Sequence, residues 1–209
     1  MADIIKTIYA WIWLLLPLLL IVAALSMLLT SSGRHARYRR KALRIYRKFN
    51  REHFTAGRMI VYLRKINPYV FEELVLTAFA RKGFRVTRNR RYSGDGGIDG
   101  RLTVDGKRVL VQCKRYLSHI SAEHVADFAR ICEREECTGV FVHTGRTGRK
   151  SREVAAQWRT VTFISGDTLA DLMTEGRAVT VRTRPALRPE DFDPRKITNP
   201  NDKRYEDFL

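Results

Sequence analysis

Acidic residues are scarce in this chain: 22 Asp and Glu stand against 39 Lys and Arg among 209 residues, a formal net charge of +17 at pH 7. A surplus of that size calls for an anionic partner, and nucleic acid and acidic lipid headgroups are the leading classes. Cysteine is scarce too. Cys113, Cys132 and Cys137 are odd in number and lack paired spacing, which excludes a disulfide scaffold and points to reduced thiols. A hydrophobic share of 44% is too high for a mainly disordered or collagen-like chain. No internal repeat is visible, and the length suits one ordinary globular domain with appendages.

Charge is missing altogether from residues 8–30, IYAWIWLLLPLLLIVAALSMLLT. As a helix this run exceeds the roughly 30 Å of the hydrocarbon core, so it is expected to span a membrane. Pro17 removes one backbone hydrogen bond and should kink the helix, a defect that membrane helices tolerate. Tyr9, Trp11 and Trp13 suit the headgroup layer at the entry end. A cleaved signal peptide is the competing reading, but its apolar region is usually shorter and no dense basic block follows it. Only Lys6 is basic before the run, whereas Arg34, Arg37, Arg39, Arg40, Lys41, Arg44, Arg47, Lys48 and Arg51 follow. The positive-inside bias therefore predicts a single-pass protein of the cell inner membrane, N-out and C-in, with everything downstream in the cytoplasm.

The expected organisation is a short extension (1–7), the membrane helix (8–30), a basic juxtamembrane stalk (31–65), a soluble domain (66–185) and a polar, proline-dotted tail (186–209). The stalk carries twelve basic residues against Glu52 alone. Contact with anionic lipid is its plainer reading, while Tyr38, Tyr46 and Phe49 among the charges leave contact with DNA open.

Asn67 and Pro68 read as a helix start, and Phe71, Leu74, Val75, Ala78 and Phe79 recur at helical spacing until Gly83. Strands are expected at 84–90, 98–104 and 107–114, the last two joined by Asp105-Gly106, a strong hairpin signal. A glycine-rich turn lies at 93–97. A helix through Val125, Phe128, Ala129 and Cys132, a buried strand 139–143, a helix 151–158, a strand 161–164 and a helix 169–173 follow. The order is αβββαβ, an α/β class with a mixed central sheet.

A two-residue turn at Asp105-Gly106 sets Val104 opposite Lys107 and Thr103 opposite Arg108. Continued without a bulge, the same register sets Asp99 opposite Gln112, Ile98 opposite Cys113 and Gly97 opposite Lys114. Ile98, Leu102, Val104, Val109, Val111 and Cys113 then share a core face, and Asp99, Gln112 and Lys114 share the other. An acid, an amide and an ammonium group so placed can hold a hard divalent cation beside a basic side chain, an arrangement suited to phosphodiester hydrolysis. An exposed hairpin face with ordinary polar residues is the plainer alternative.

FEELVLTAFARKGF, then GDGGIDG, then VLVQCKRY resemble, in order and approximate spacing, the Mrr-like branch of the PD-(D/E)xK nucleases. The resemblance covers about residues 66–175. It implies a restriction-endonuclease-like fold and a Mg²⁺- or Mn²⁺-dependent endonuclease acting on double-stranded DNA, with restriction of foreign or modified DNA as its role. It further implies that Glu72 supports the metal or its water, with Glu73 as fallback, that Asp99 is the principal metal ligand, and that Lys114 is catalytic. Gln112 takes the usual second-acid position, contributing less negative charge than a carboxylate, with the Cys113 carbonyl as a further donor. A non-catalytic membrane tether that binds DNA through a nuclease-like fold is the rival reading, and a homodimer stays open.

Arg88, Arg90 and Arg91 before the glycine-rich turn, and Arg146, Arg149 and Lys150 in the loop before the later helix, are the expected phosphate contacts. Asp95 reads as a turn residue. Cys132, Cys137 and His143 lack a fourth ligand for zinc, so buried thiols are expected. His119 and His124 flank a helix start and read as polar surface or substrate contacts.

Overall fold

The computed structural model describes residues 11–13, 15–23, 31–89 and 97–183. The elements are α1 (Ser31–Arg51), α2 (Ala56–Leu63), α3 (Pro68–Arg81), β1 (Arg85–Arg88), β2 (Gly100–Val104), β3 (Lys107–Lys114), α4 (Ala122–Arg134), β4 (Thr138–His143), α5 (Arg149–Gln157), β5 (Val161–Ile164) and α6 (Gly166–Met173). Arg90, Arg91, Asp95, part of the expected membrane helix, the last two residues of the expected domain (184–185) and the expected tail (186–209) lie outside the described residues. Residues 11–13 and 15–23 are helical. No helix among the described residues is long and apolar enough to cross a membrane.

Local chemistry explains the ends of the elements. The Asn67 side chain accepts from the Tyr69 N–H at 3.0 Å, and Pro68 sits at the first helical position, where its missing N–H costs nothing. Asp105 and Gly106 both have positive φ, 50° and 73°, the backbone that a tight two-residue hairpin turn demands. The strands lie in the order β1-β2-β3-β4-β5. β1, β2 and β3 pair antiparallel, and β4 and β5 join in parallel. Crossover helices α4 and α5 make those parallel pairings reachable. The result is the αβββαβ order and mixed sheet that the sequence predicts, followed by α5, β5 and α6, which it also expects.

Helices cover both faces of the sheet. Leu102, Val109, Val111, Val140, Val142 and Ile164 pack on one side against α1, α2, α3 and α6, while Leu110 and Phe141 pack on the other against α4. Residues 31–65, expected as a stalk outside the domain, form α1 and α2 and enter the first of these cores. Ala42, Ile45, Tyr46 and Phe49 are buried along one side of α1, Tyr38 stacks on Tyr69 of α3 at 5.6 Å, and Phe49 meets Phe54 and Tyr62 edge-on. Asn50 ties α1 to the end of α6, donating to the Met173 carbonyl at 3.0 Å and accepting from the Glu175 N–H at 2.7 Å. The reason lies in the period: buried residues fall three and four apart, while the basic residues of α1 occupy the opposite, solvated side.

If α1 belongs to the cooperative unit, Phe49→Ala should lower the unfolding free energy by about 3 kcal/mol, as for other buried aromatic truncations. Urea denaturation followed by circular dichroism measures it, and a loss below about 1 kcal/mol would place α1 outside that unit.

Candidate active site at the fork of β2 and β3

β2 begins at Gly100, whereas β3 runs to Lys114, beyond the last β2 pairing at Gly100↔Val111. The five pairs between Val104↔Lys107 and Gly100↔Val111 follow the predicted register. At Asp99 the ladder departs from it. The Asp99 N–H donates to the Val111 carbonyl at 2.9 Å instead of continuing toward Gln112, so two successive residues oppose one. The alternation of side chains shifts by one there, and Ile98, expected on the face of Leu102 and Val104, packs with Leu110 on the other. Asn89 holds the shifted segment: its amide donates to the Ile98 carbonyl, and its oxygen accepts from Arg101 at 2.8 Å.

The shift turns Asp99 toward α3, where it lines a pocket with His35, Glu72, Glu73, Leu76, Arg88, Asn89 and Ile98. Its Oδ2 accepts from the Cys113 N–H at 2.6 Å, which sets the carboxylate against the main chain between Gln112 and Lys114. The Gln112 amide does not face Asp99 in simple register. Its Nε2 donates to the Gly97 carbonyl at 2.8 Å, and its Oε1 is buried without a hydrogen-bond partner. Gly97 has φ of +89°, and a Cβ there would stand 2.5 Å from Gln112 Nε2, so this close approach requires glycine.

Glu72 is half-buried at the mouth of the pocket. Burial pushes its carboxyl up to about 8, the nearby Asp99 and Glu73 charges push the same way, and Lys114 partly opposes them. Glu72, Asp99 and Lys114 therefore share one electrostatic neighbourhood. Burial, then Asp99 and Glu72, also hold the Cys113 thiol well above its usual range, so it stays protonated at the pocket wall.

Glu73, the fallback for Glu72, is buried and engaged. Arg88 Nε lies 3.0 Å from its Oε2, and His35 Nδ1 lies 3.5 Å from its Oε1. Arg88 also donates to Thr77 Oγ1 at 3.3 Å. This corrects the expectation that Arg88 faces phosphates: a buried carboxylate needs a cation, and Arg88 supplies it. Arg146, Arg149 and Lys150 are all exposed. The loop carrying Arg146 is pinned by Arg146 N–H to the Ser118 carbonyl at 2.8 Å, and Arg149 pairs with Glu153 at 3.0 Å.

His143 neighbours Lys114 in the β3–β4 register and is fully buried, with its Nε2 3.3 Å from Thr147 Oγ1. Burial pushes it down to about 4, so a neutral ring packs between Phe141 and Phe163. Cys132 is buried in the α4 core, which pushes its thiol up to about 12. His124 accepts from or donates to Tyr116 Oη at 2.6 Å through Nδ1. The sequence reading missed His35 and Asn89. His35 was legible only as an extension of the α1 buried stripe, seven residues before Ala42.

Glu72 carries a signature in pH. Its native value, about 8, stands above the 4.5 of an ordinary glutamate, so the native state holds a proton that the unfolded chain releases across that window. The stabilisation is complete below pH 4.5 and is lost as pH rises through 8. Glu72→Gln cannot ionise, so the metal-free variant should gain melting temperature relative to the wild type between pH 5 and pH 9. An equal difference at both pH values would contradict the raised carboxyl.

A solved structure of MspJI restriction endonuclease in complex with a 27-mer oligonucleotide is similar to this chain at 24% identity, with a TM-score of 0.37; the match covers 68% of this chain and 30% of that one. No curated protein matches. Residues 63–173 match Mrr_cat, described as restriction endonuclease; this stretch is more than half of the chain and holds Glu72, Asp99, Gln112 and Lys114, and the protein belongs to that family.

Proposed function

We propose that this protein is a membrane-anchored, divalent-metal-dependent endonuclease that hydrolyses phosphodiester bonds in double-stranded DNA. The observation that carries the reading is the fork, where Asp99 is held on the Cys113 N–H within a pocket shared with Glu72. Membership of a restriction endonuclease family supports the reaction class.

The donor set suits a hard cation. Two carboxylates, the Gln112 Oε1 that lacks a partner and the neighbouring Cys113 carbonyl are all oxygen donors, the type that Mg²⁺ and Mn²⁺ take. Among the described residues no group of three or more His, Cys, Asp or Glu is arranged to hold a metal ion by itself, and in this reading the amide and the main chain supply the further oxygens. The proton that Glu72 retains stands where such a cation would compensate the Asp99 and Glu73 charges. Bound there, the metal would polarise the phosphoryl oxygen. Asp99 is oriented by the Cys113 N–H, Glu72 supplies the second carboxylate, and Lys114 stabilises negative charge developing on the scissile phosphate. Arg146, Arg149 and Lys150 lie on the loop and helix start, where they can neutralise flanking phosphates.

The same reading takes residues 8–30 as the anchor, N-out and C-in. Trp11, Ile12, Trp13, Leu15, Leu16, Leu18, Leu19, Leu20, Ile21 and Val22 are each at least 50% exposed, apolar surface that a bilayer would cover. Anionic lipid is the partner that fits the solvated basic side of α1. Restriction of foreign or modified DNA is the role we assign.

Plasmid cleavage with Mg²⁺ should fall at least about a hundredfold in Asp99→Ala and in Lys114→Ala, the loss typical of removing a group that stabilises the reacting charge, and should vanish with chelator. Binding without any metal-dependent nicking in the wild type would turn the reading to a DNA tether. Replacing Arg146, Arg149 and Lys150 together by Ala should weaken DNA binding across sequences and reduce the salt slope by about one for each phosphate no longer neutralised. An unchanged slope would remove this loop from the interface.

A further inference from the structure

The region matching the restriction endonuclease family starts at residue 63, yet one wall of the pocket comes from before it. His35 of α1 lines the pocket together with Glu72 and Asp99. Its side chain is 19% exposed, against 3% for Glu73, and its Nδ1 lies 3.5 Å from Glu73 Oε1. Arg88 holds the other oxygen of the same carboxylate at 3.0 Å. Glu73 is thus approached from two elements, paired with Arg88 of β1, which follows α3, and faced by the His35 ring nitrogen of α1, which precedes it.

The consequence falls on the neighbouring residue. Glu72 and Glu73 are consecutive on α3, so fixing the buried Glu73 fixes the rotation of that helical turn about its axis and hence the direction in which Glu72 projects. The placement of His35 is itself determined by packing: it continues the stripe of Tyr38, Ala42, Ile45, Tyr46 and Phe49 that seats α1 on α3 and the rest of the core. A helix seated by five side chains delivers the imidazole with little freedom to miss its partner.

We propose that His35 is a positioning residue of the active site, acting through Glu73 to aim Glu72 at the divalent cation, so that the segment ahead of the family domain is a working part of the metal site. The inference rests on the metal-dependent nuclease reading above. Groups bonded directly to a metal ligand typically alter affinity by ten- to a hundredfold when removed, and His35 stands one contact further out, so its effect belongs at the lower end of that range.

The test is Mn²⁺ binding to the full chain in detergent, followed by the electron paramagnetic resonance signal of free Mn²⁺, with no DNA present. His35→Met keeps volume and packing but removes the donor, and His35→Gln keeps a donor. His35→Met should weaken Mn²⁺ binding about tenfold with an unchanged melting temperature, and His35→Gln should recover most of the loss. In a Glu73→Gln background His35→Met should add nothing, because the effect runs through that carboxylate. Wild-type affinity in His35→Met, or the same tenfold loss with Glu73 already changed, would overturn the proposal while leaving the nuclease reading intact. Wild type binding Mn²⁺ no better than Asp99→Ala would instead overturn the metal-dependent reading and this inference with it.

Discussion

The hydrogen bond from the Cys113 N–H to the Asp99 carboxylate is the constraint around which the site is arranged. It exists because β2 stops pairing early while β3 continues, leaving a main-chain donor on β3 with no strand opposite. An unpaired buried N–H costs on the order of 1–3 kcal/mol, and the aspartate satisfies it while remaining in the pocket. One irregularity therefore does two things: it meets the backbone's demand for a partner, and it sets an acid against the β3 main chain between Gln112 and Lys114.

The rest of the molecule holds that irregularity in place. Asn89 grips the Ile98 carbonyl from the end of β1, Ile98 is drawn into the core on the far face, and Gly97 lets Gln112 approach its carbonyl. On the near face, α3 is pressed onto the sheet by α1 and α6. The electrostatic result is a half-buried Glu72 that keeps a proton near neutral pH beside Asp99, with Lys114 the only positive influence among the groups shifting it. Burial strengthens each of these charge interactions, since little water remains to screen them.

Arg88 shows how the same arithmetic of charge redirects a residue. From sequence it belongs to a run of arginines before a glycine-rich turn, a natural phosphate contact. In the fold it lies beside a nearly inaccessible glutamate, and the cost of burying an unpaired carboxylate outweighs what an exposed phosphate contact would gain. The basic residues of α1 show the converse. They stay solvated because the apolar residues of that helix fall at helical spacing and claim the other side.

Periodicity, caps and the Asp-Gly turn determined the element order and the register of the β2–β3 hairpin, because these depend on local backbone preference and on alternation between two faces. The motifs that carry Glu72, Asp99, Gln112 and Lys114 likewise named the candidate site residues, through their resemblance to a nuclease family. What only the tertiary structure decided was the bulge at Asp99, the pairing of Glu73 with Arg88 and His35, and the inclusion of α1 in the core. Each depends on groups far apart in the chain that meet only after the sheet and helices have packed, and on burial, which sets the cost of a lone charge or a lone N–H and is no property of any single residue.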